Sequence, residues 1–453
     1  MKKLSISIFC CLFLLQLHAQ ELERKGALGA VVESLEDGKG ILVPQVLDNG
    51  TAAAVGIQAG DILYEINGKN YTDVAALVEH TSGWRAGDEM TVRLLRGTKM
   101  MELSGVVKGK PMESSDHGTV IYGAVPFQGG QLRSILELPK GVDNPPVVFF
   151  LQGFSCGSID YYYDQRNPVK QLVEGLVEKG IAVYRVEKPG LGDCQGTPNC
   201  EDIGYHLEVD AFAEALRMLK KTDGVDRDNI YLFGHSLGGV TAPLLAEREK
   251  VKGIVSYGSV ATTWYEYSLR ILREQHSMRG KDLEGIEESI RTRGPLLYDF
   301  LVKKMTPEQL RAIPAYEGLL ETGLPMLDED NQTLGRHYTF MQEINETNIT
   351  KAFKNAGVHF LGVHGEFDLH AIDYKWAEYQ ASVVNAYHPG KGSWTILKGT
   401  EHVFAKVPSM EEHLRLRSEG LFTGAYMSKH FNPELVTIVS DWIQKIKQET
   451  QNG

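Results

Sequence analysis

The sequence predicts an α/β protein: a mostly parallel sheet with helices on both faces, preceded by a small α+β module. Three observations predict it. From Val147 onward, short continuous apolar runs alternate with amphipathic helical stretches, the pattern of strands buried on both faces and joined by helical crossovers. Before about residue 106, strand-like runs alternate instead with Gly-rich turns. Between the two, residues 106–118 carry Gly109, Pro111, Ser114, Ser115 and Gly118, the composition of a linker. A chain of 453 residues is also too long for one ordinary core.

At the start, Met1-Lys2-Lys3, the apolar run Leu4 to Leu17 and then His18-Ala19 have the charged, apolar and small-residue parts of a secretory signal peptide, residues 1–19. That run is too short to span a bilayer, and no later stretch reaches the roughly 20 apolar residues a span requires. An exported, periplasmic or secreted protein is expected. The formal charge of −12, with no Lys/Arg block after the first residues, argues against a nucleic-acid partner. Cys10 and Cys11 would leave with the peptide, so Cys156, Cys194 and Cys200 remain. Export permits a disulfide, and the odd count leaves one thiol over. Cys156 and Cys200 lie in loops that should follow adjacent strands, which favours that pair; Cys194 and Cys200, close in sequence, stay open as the alternative. Three scattered cysteines lack the paired spacing of a zinc site, and nothing implies a metal or an organic cofactor.

Residues 24–108 form the first module. Ala30 to Glu33, Gly40 to Val46 and Met90 to Leu95 read as strands, and Asp73 to His80 as a helix. Gly26-Ala27-Leu28-Gly29, the run from Gly50 to Leu63 (GTAAAVGIQAGDIL) and Ile66-Asn67-Gly68 make this module resemble a PDZ domain of the bacterial protease type. The resemblance implies an extended peptide added as a strand, its C-terminal carboxylate held by the backbone N–H groups of Gly26, Ala27, Leu28 and Gly29. Glycines there let amides converge on an anion without a side chain in the way. The alternative is a PDZ fold that serves only for packing or dimerisation.

Residues 119–450 form the second domain, after a linker at 109–118. Val147 to Leu151 is a continuous apolar strand. Asn167 and Pro168 cap a helix that places Val169, Leu172, Val173, Leu176 and Val177 on one face and closes at Gly180. Strand Ile181 to Tyr184, helix 202–220, strand Ile230 to Phe233 and strand Gly253 to Gly258 follow. Val358 to Val363 and Trp394 to Leu397 are the later strands, and the closing helix starts at Asn432-Pro433. Residues 264–350 break the alternation with helical segments such as Thr306-Pro307-Glu308-Gln309, a capping box.

Gly234-His235-Ser236-Leu237-Gly238 falls between a strand and a helix, where a tight turn would hold the Ser236 hydroxyl out as a nucleophile. A serine needs an imidazole to take its proton and a carboxylate to orient that imidazole. With this turn after strand, helix, strand, helix, the domain resembles the α/β-hydrolase fold. The resemblance implies the chain order serine, acid, histidine, and makes 264–350 a helical cap over the active site. It assigns Asp368, in Gly365-Glu366-Phe367-Asp368, as the acid, with Glu366 and Asp373 as alternatives. It assigns His402, after the last strand, as the base. The implied oxyanion donors are the amides of Leu237 and Phe154. Gln152-Gly153 stands where the family often has His-Gly, which leaves the backbone donor intact and changes how the loop is anchored. Lys188, in Glu187-Lys188-Pro189-Gly190, stands where the family often has arginine, so its buried contacts should differ. Trp264, Tyr265 and Tyr267 read as core first and as cap lining second. The expected function is hydrolysis of small-molecule carboxylic esters by an acyl-enzyme route. The alternatives are a peptidase of prolyl-oligopeptidase-like type, whose relatives share this core, and a non-catalytic PDZ scaffold with a degenerate hydrolase domain.

Overall fold

The computed structural model describes residues 22–36 and 38–451, so the expected signal peptide lies outside the described residues. Strands β1 (Ala30–Ser34), β2 (Ile41–Val46), β3 (Ile62–Ile66), β4 (Lys69–Asn70), β5 (Glu89–Arg96) and β6 (Lys99–Val106) build the first sheet. Its order is β1-β2-β3-β5-β6, with β4 on β3, which leaves β1 at an edge. Helix Val74–Ser82 starts where Asp73 accepts from the Ala76 amide, and Leu77 anchors it in the core.

The second sheet holds β7 (Gly118–Phe127), β8 (Gly130–Pro139), β9 (Val147–Leu151), β10 (Ala182–Val186), β11 (Ile230–His235), β12 (Gly253–Tyr257), then β15 (His359–Gly365) and β16 (Gly392–Leu397). A two-stranded ladder, β13 (Gln332–Thr333) with β14 (Arg336–His337), lies in the insertion between β12 and β15. The sheet order is β16-β15-β12-β11-β9-β10-β8-β7. From β16 to β10 every neighbour is parallel, whereas β8 and β7 join antiparallel.

Both faces are covered, which is why these strands read as unbroken apolar runs. Alternate residues of one strand serve opposite cores. Val148 and Phe150 pack with Leu172 and Leu176 of helix Pro168–Glu178 and with Leu435 and Val439 of helix Glu434–Gln451. Phe149 and Leu151 pack with Val209 and Phe212 of helix Tyr205–Leu219 and with Val240 of helix Gly238–Arg248. The expected caps are in place, including the reciprocal box of Thr306 and Gln309 and Pro168 at the first turn. The insertion is mostly helical, as its lost alternation implied. Cys156 pairs with Cys200, and Cys194 is free and buried.

Segment 109–118 is a packed strap. Glu113 is buried, meets Arg185 at 2.9 Å and Lys170 at 3.0 Å, and accepts from the Tyr161 amide at 2.7 Å. Burial would raise its carboxyl, but Arg185 and then Lys170 hold it down at about 2. The two modules are pinned beside it. Arg24 meets Asp160 at 2.8 Å and also bonds Asp193, whose other oxygen accepts from the Lys25 amide at 2.7 Å. Glu113→Ala would leave the buried Arg185 with Glu137 as its ion-pair partner at 4.0 Å, while Lys170 keeps Glu137 and Glu174, and a loss of about 3 kcal/mol in unfolding free energy is expected by urea titration.

Candidate active site

Strand β11 ends in a turn at Ser236, whose φ of 54° is the left-handed conformation that a side chain rarely adopts. Two glycines make room for that bend. A Cβ on Gly234 would lie 2.3 Å from the Gly238 carbonyl oxygen, and one on Gly238 would lie 2.2 Å from the Leu151 oxygen. Any side chain at either position would force the strand and helix apart. The Ser236 amide is fixed by the Tyr257 carbonyl at 2.8 Å.

Asp368 and His402 meet at the end of the neighbouring strand. Asp368 Oδ2 accepts from His402 Nδ1 at 2.8 Å, and Oδ1 accepts from the amides of His370 and Ala371 at 2.8 and 2.9 Å. Burial alone would raise the Asp368 carboxyl, yet His402 and these bonds hold it well below the usual carboxylate range. Burial likewise opposes charge on His402, but Asp368 outweighs it and raises the imidazole above its ordinary 6.5. Gly258 follows the Tyr257 carbonyl that holds Ser236, and a Cβ on it would lie 2.7 Å from Asp368 Oδ2 and 3.0 Å from His402 Nδ1. The end of β12 is therefore where the serine turn, the carboxylate and the imidazole converge. Among the described residues the Ser236 hydroxyl has no hydrogen-bond partner. In free enzymes the serine–histidine bond is often long and tightens around substrate.

The alternative acids are engaged elsewhere. Glu366 accepts from Lys398 and the Gly399 amide, each at 2.8 Å, and Asp373 accepts from the Lys375 amide at 3.0 Å. His235 has a role that its place in the motif did not reveal. Its Nε2 bonds the His402 carbonyl at 2.9 Å, while burial keeps the ring neutral, down at about 3. Tyr257 donates to the Glu401 carbonyl at 2.6 Å, and the Glu401 carboxyl accepts from the Val403 and Ala405 amides. The loop that carries the imidazole is thus tied from both sides.

Next to Ser236 runs the loop Gln152–Phe154. A Cβ on Gly153 would lie 3.1 Å from the Ser236 Cβ, tighter than ordinary van der Waals contact, so a larger residue would press the loop against the serine. The amides of Phe154 and Leu237 have no acceptor among the described residues. Gln152 Nε2 donates to the Val186 carbonyl at 3.2 Å, a different anchor from an imidazole in the same place. Lys188 Nζ donates to the carbonyls of Gly153 at 2.6 Å and Phe154 at 3.3 Å, and Arg336 Nη1 donates to Phe154 at 2.8 Å. Both cations share Glu208, at 3.1 and 2.6 Å. Burial lowers Lys188 to about 8 against the pull of Glu208. Lys188 was visible in the sequence as a departure; Arg336, inside the insertion, gave no signal. Trp264 stacks on Phe154 with ring centres 6.4 Å apart, so it braces this loop, and Tyr267 is buried and donates to the His370 carbonyl at 2.7 Å.

Residues 26–105 match the PDZ domain family, and residues 146–284 match the alpha/beta hydrolase fold family. A PDZ domain precedes an α/β-hydrolase domain. The chain is 32% identical over 120 residues to the esterase EstD of Thermotoga maritima, covering 26% of this chain and 28% of that protein. It is 30% identical over 110 residues to the periplasmic serine endoprotease DegP of Escherichia coli K12, covering 24% of this chain and 22% of that one. The chain thus spans under a third of the length of either relative. Among solved structures, Est1E from Butyrivibrio proteoclasticus aligns with a TM-score of 0.40 and 17% identity over 66% of this chain and 95% of that one. Carboxyl esterase 2 from the fungus Tuber melanosporum aligns with a TM-score of 0.40 and 15% identity over 72% and 90%.

In the PDZ domain the expected carboxylate loop is only partly free. The Gly26 amide donates to the Trp84 carbonyl at 2.8 Å and the Ala27 amide to the Lys108 carbonyl at 3.1 Å. Those two amides are engaged because the loop is stitched to Trp84, just after helix Val74–Ser82, and to Lys108, just after β6, which the motif alone did not disclose. Leu28 and Gly29 keep amides without an acceptor among the described residues. No helix among these residues is long and apolar enough to cross a membrane, and none of their His, Cys, Asp and Glu side chains form a group of three or more that could hold a metal.

Proposed function

We propose that this chain is an exported serine hydrolase that cleaves carboxylic esters through an acyl-enzyme. Ser236 attacks the carbonyl, and its proton passes to His402, held in the right tautomer by Asp368. The amides of Phe154 and Leu237 receive the oxyanion, and water then releases the acyl group. The observation that carries this reading is the 2.8 Å bond between His402 Nδ1 and a buried Asp368, beside a serine in left-handed backbone. The esterase name of the Thermotoga relative favours esters over peptides. Export rests on residues 1–19. A peptide C-terminus would sit at Leu28 and Gly29 and extend along the β1 edge.

Turnover of short-chain p-nitrophenyl esters with no cleavage of a dipeptide panel is expected; the reverse would make the chain a peptidase. Acylation needs neutral His402, so kcat/KM should fall as pH drops through the imidazole pKa. Since Asp368 raises that pKa, the acid limb is expected above 6.5, and Asp368→Asn should move it lower. A pH–rate profile of both proteins checks the sign.

A further inference from the structure

A cavity of about 280 Å³ opens between the oxyanion loop and the loop that carries the imidazole. Gly153 from the first loop and Val403 and Phe404 from the second line it, and His235, Tyr161, Val169 and Met427 are among the other walls. Three of these adjoin the reacting groups in sequence: Gly153 precedes Phe154, His235 precedes Ser236, and Val403 follows His402. No Asp, Glu, Lys or Arg lines the cavity. Its titratable walls are neutral, since burial holds the His235 ring down at about 3 and pushes the Tyr161 phenol up. On the other flank of the oxyanion loop, Phe154 lies against Trp264 and meets Phe340 edge-on at 5.5 Å.

In acyl transfer the imidazole returns its proton to the departing oxygen, so the departing group has to lie on the imidazole side. We propose that this cavity is the leaving-group subsite and takes a small, uncharged alcohol from an ester. The inference rests on the serine-hydrolase reading and adds the class of alcohol. The bond from the acyl carbon to Ser236 Oγ forms first, giving the oxyanion, and the bond to the alcohol oxygen breaks as that oxyanion collapses. The serine proton travels through His402 to that oxygen, and a neutral alcohol leaves. A charged alcohol would lose its water against walls that offer it no counter-ion. At about 280 Å³ the space is near the small end of the roughly 300–1,000 Å³ typical of ligand pockets, which suits one ring or a short chain.

Val169→Phe and Met427→Trp each add bulk to the wall from a different element. With benzyl and methyl acetate, the benzyl-to-methyl ratio of kcat/KM is expected to fall about tenfold or more in either variant. The hexanoate-to-acetate ratio of p-nitrophenyl esters should hold. A fall in the acyl ratio instead would assign the cavity to the acyl chain and overturn the proposal. Unchanged ratios in folded variants would overturn it too. In the unaltered protein, acetylcholine should react more slowly than its neutral isostere with carbon in place of nitrogen, and equal rates would contradict the uncharged class. An active protein failing these tests loses the subsite alone; a folded protein that turns over no ester loses the hydrolase reading with it.

Discussion

Replacing Ser236 or His402 with alanine is expected to lower kcat for esters roughly a million-fold, with little change in thermal stability. In the proposed mechanism each residue is one half of a single proton transfer, so the double variant should be no worse than either alone. Asp368→Asn is expected to cost roughly ten-thousand-fold, because an amide that donates to Nδ1 would stabilise the wrong tautomer. The Asp368 carboxylate also accepts from two backbone amides, which fixes its rotamer independently of the imidazole. Steady-state turnover of the purified variants, each with a melting curve, tests these values. A folded His402→Ala protein that retained most of its turnover would remove the imidazole from the mechanism.

The second large effect is expected away from the triad. Arg336→Met should lower kcat by about a hundred-fold while KM changes little, because the lost contact fixes a donor needed mainly when the oxyanion forms. Arg336 holds the Phe154 carbonyl and, with Lys188, brackets Glu208. Without it, Glu208 is left with Lys188 alone, and the Phe154 carbonyl keeps only its longer 3.3 Å bond from Lys188, which loosens the peptide unit beside the Phe154 amide. A stability cost of about 3 kcal/mol should accompany the loss of a buried cation from such a pair. Turnover per titrated active serine separates this positioning role from a merely structural one: it falls if the donor is misplaced, and it stays at the unaltered value if only the amount of active protein drops. Because Arg336 belongs to the insertion after β12, its contact also makes the oxyanion loop depend on the cap being folded.

Much of this site was legible in the sequence, for identifiable physical reasons. A serine in left-handed backbone demands glycines on either side, so Gly234 and Gly238 mark the turn directly. Parallel strands buried on both faces leave unbroken apolar runs, so β9, β11 and β12 could be read off. The hairpin of β7 and β8 was not read, because β7 is partly exposed and β8 buries Arg133, Ser134 and Glu137, which interrupt its apolar run. The Lys188, Glu208 and Arg336 cluster was not legible either. Glu208 and Arg336 are 128 residues apart, and charged residues carry no sequence mark of burial when each is neutralised by a distant partner. The same reason hid Glu113 in the expected linker, where Arg185 and Lys170 satisfy it. In the PDZ domain the glycine motif located the loop, but which amides stay free depends on the carbonyls of Trp84 and Lys108, set by tertiary packing.

The most direct test of the account is fluorophosphonate labelling mapped by mass spectrometry, run on the unaltered protein and on His402→Ala. One adduct is expected, on Ser236, formed in the unaltered protein and nearly absent without the imidazole. A folded protein that takes up no label, or that carries it on another residue, would contradict it.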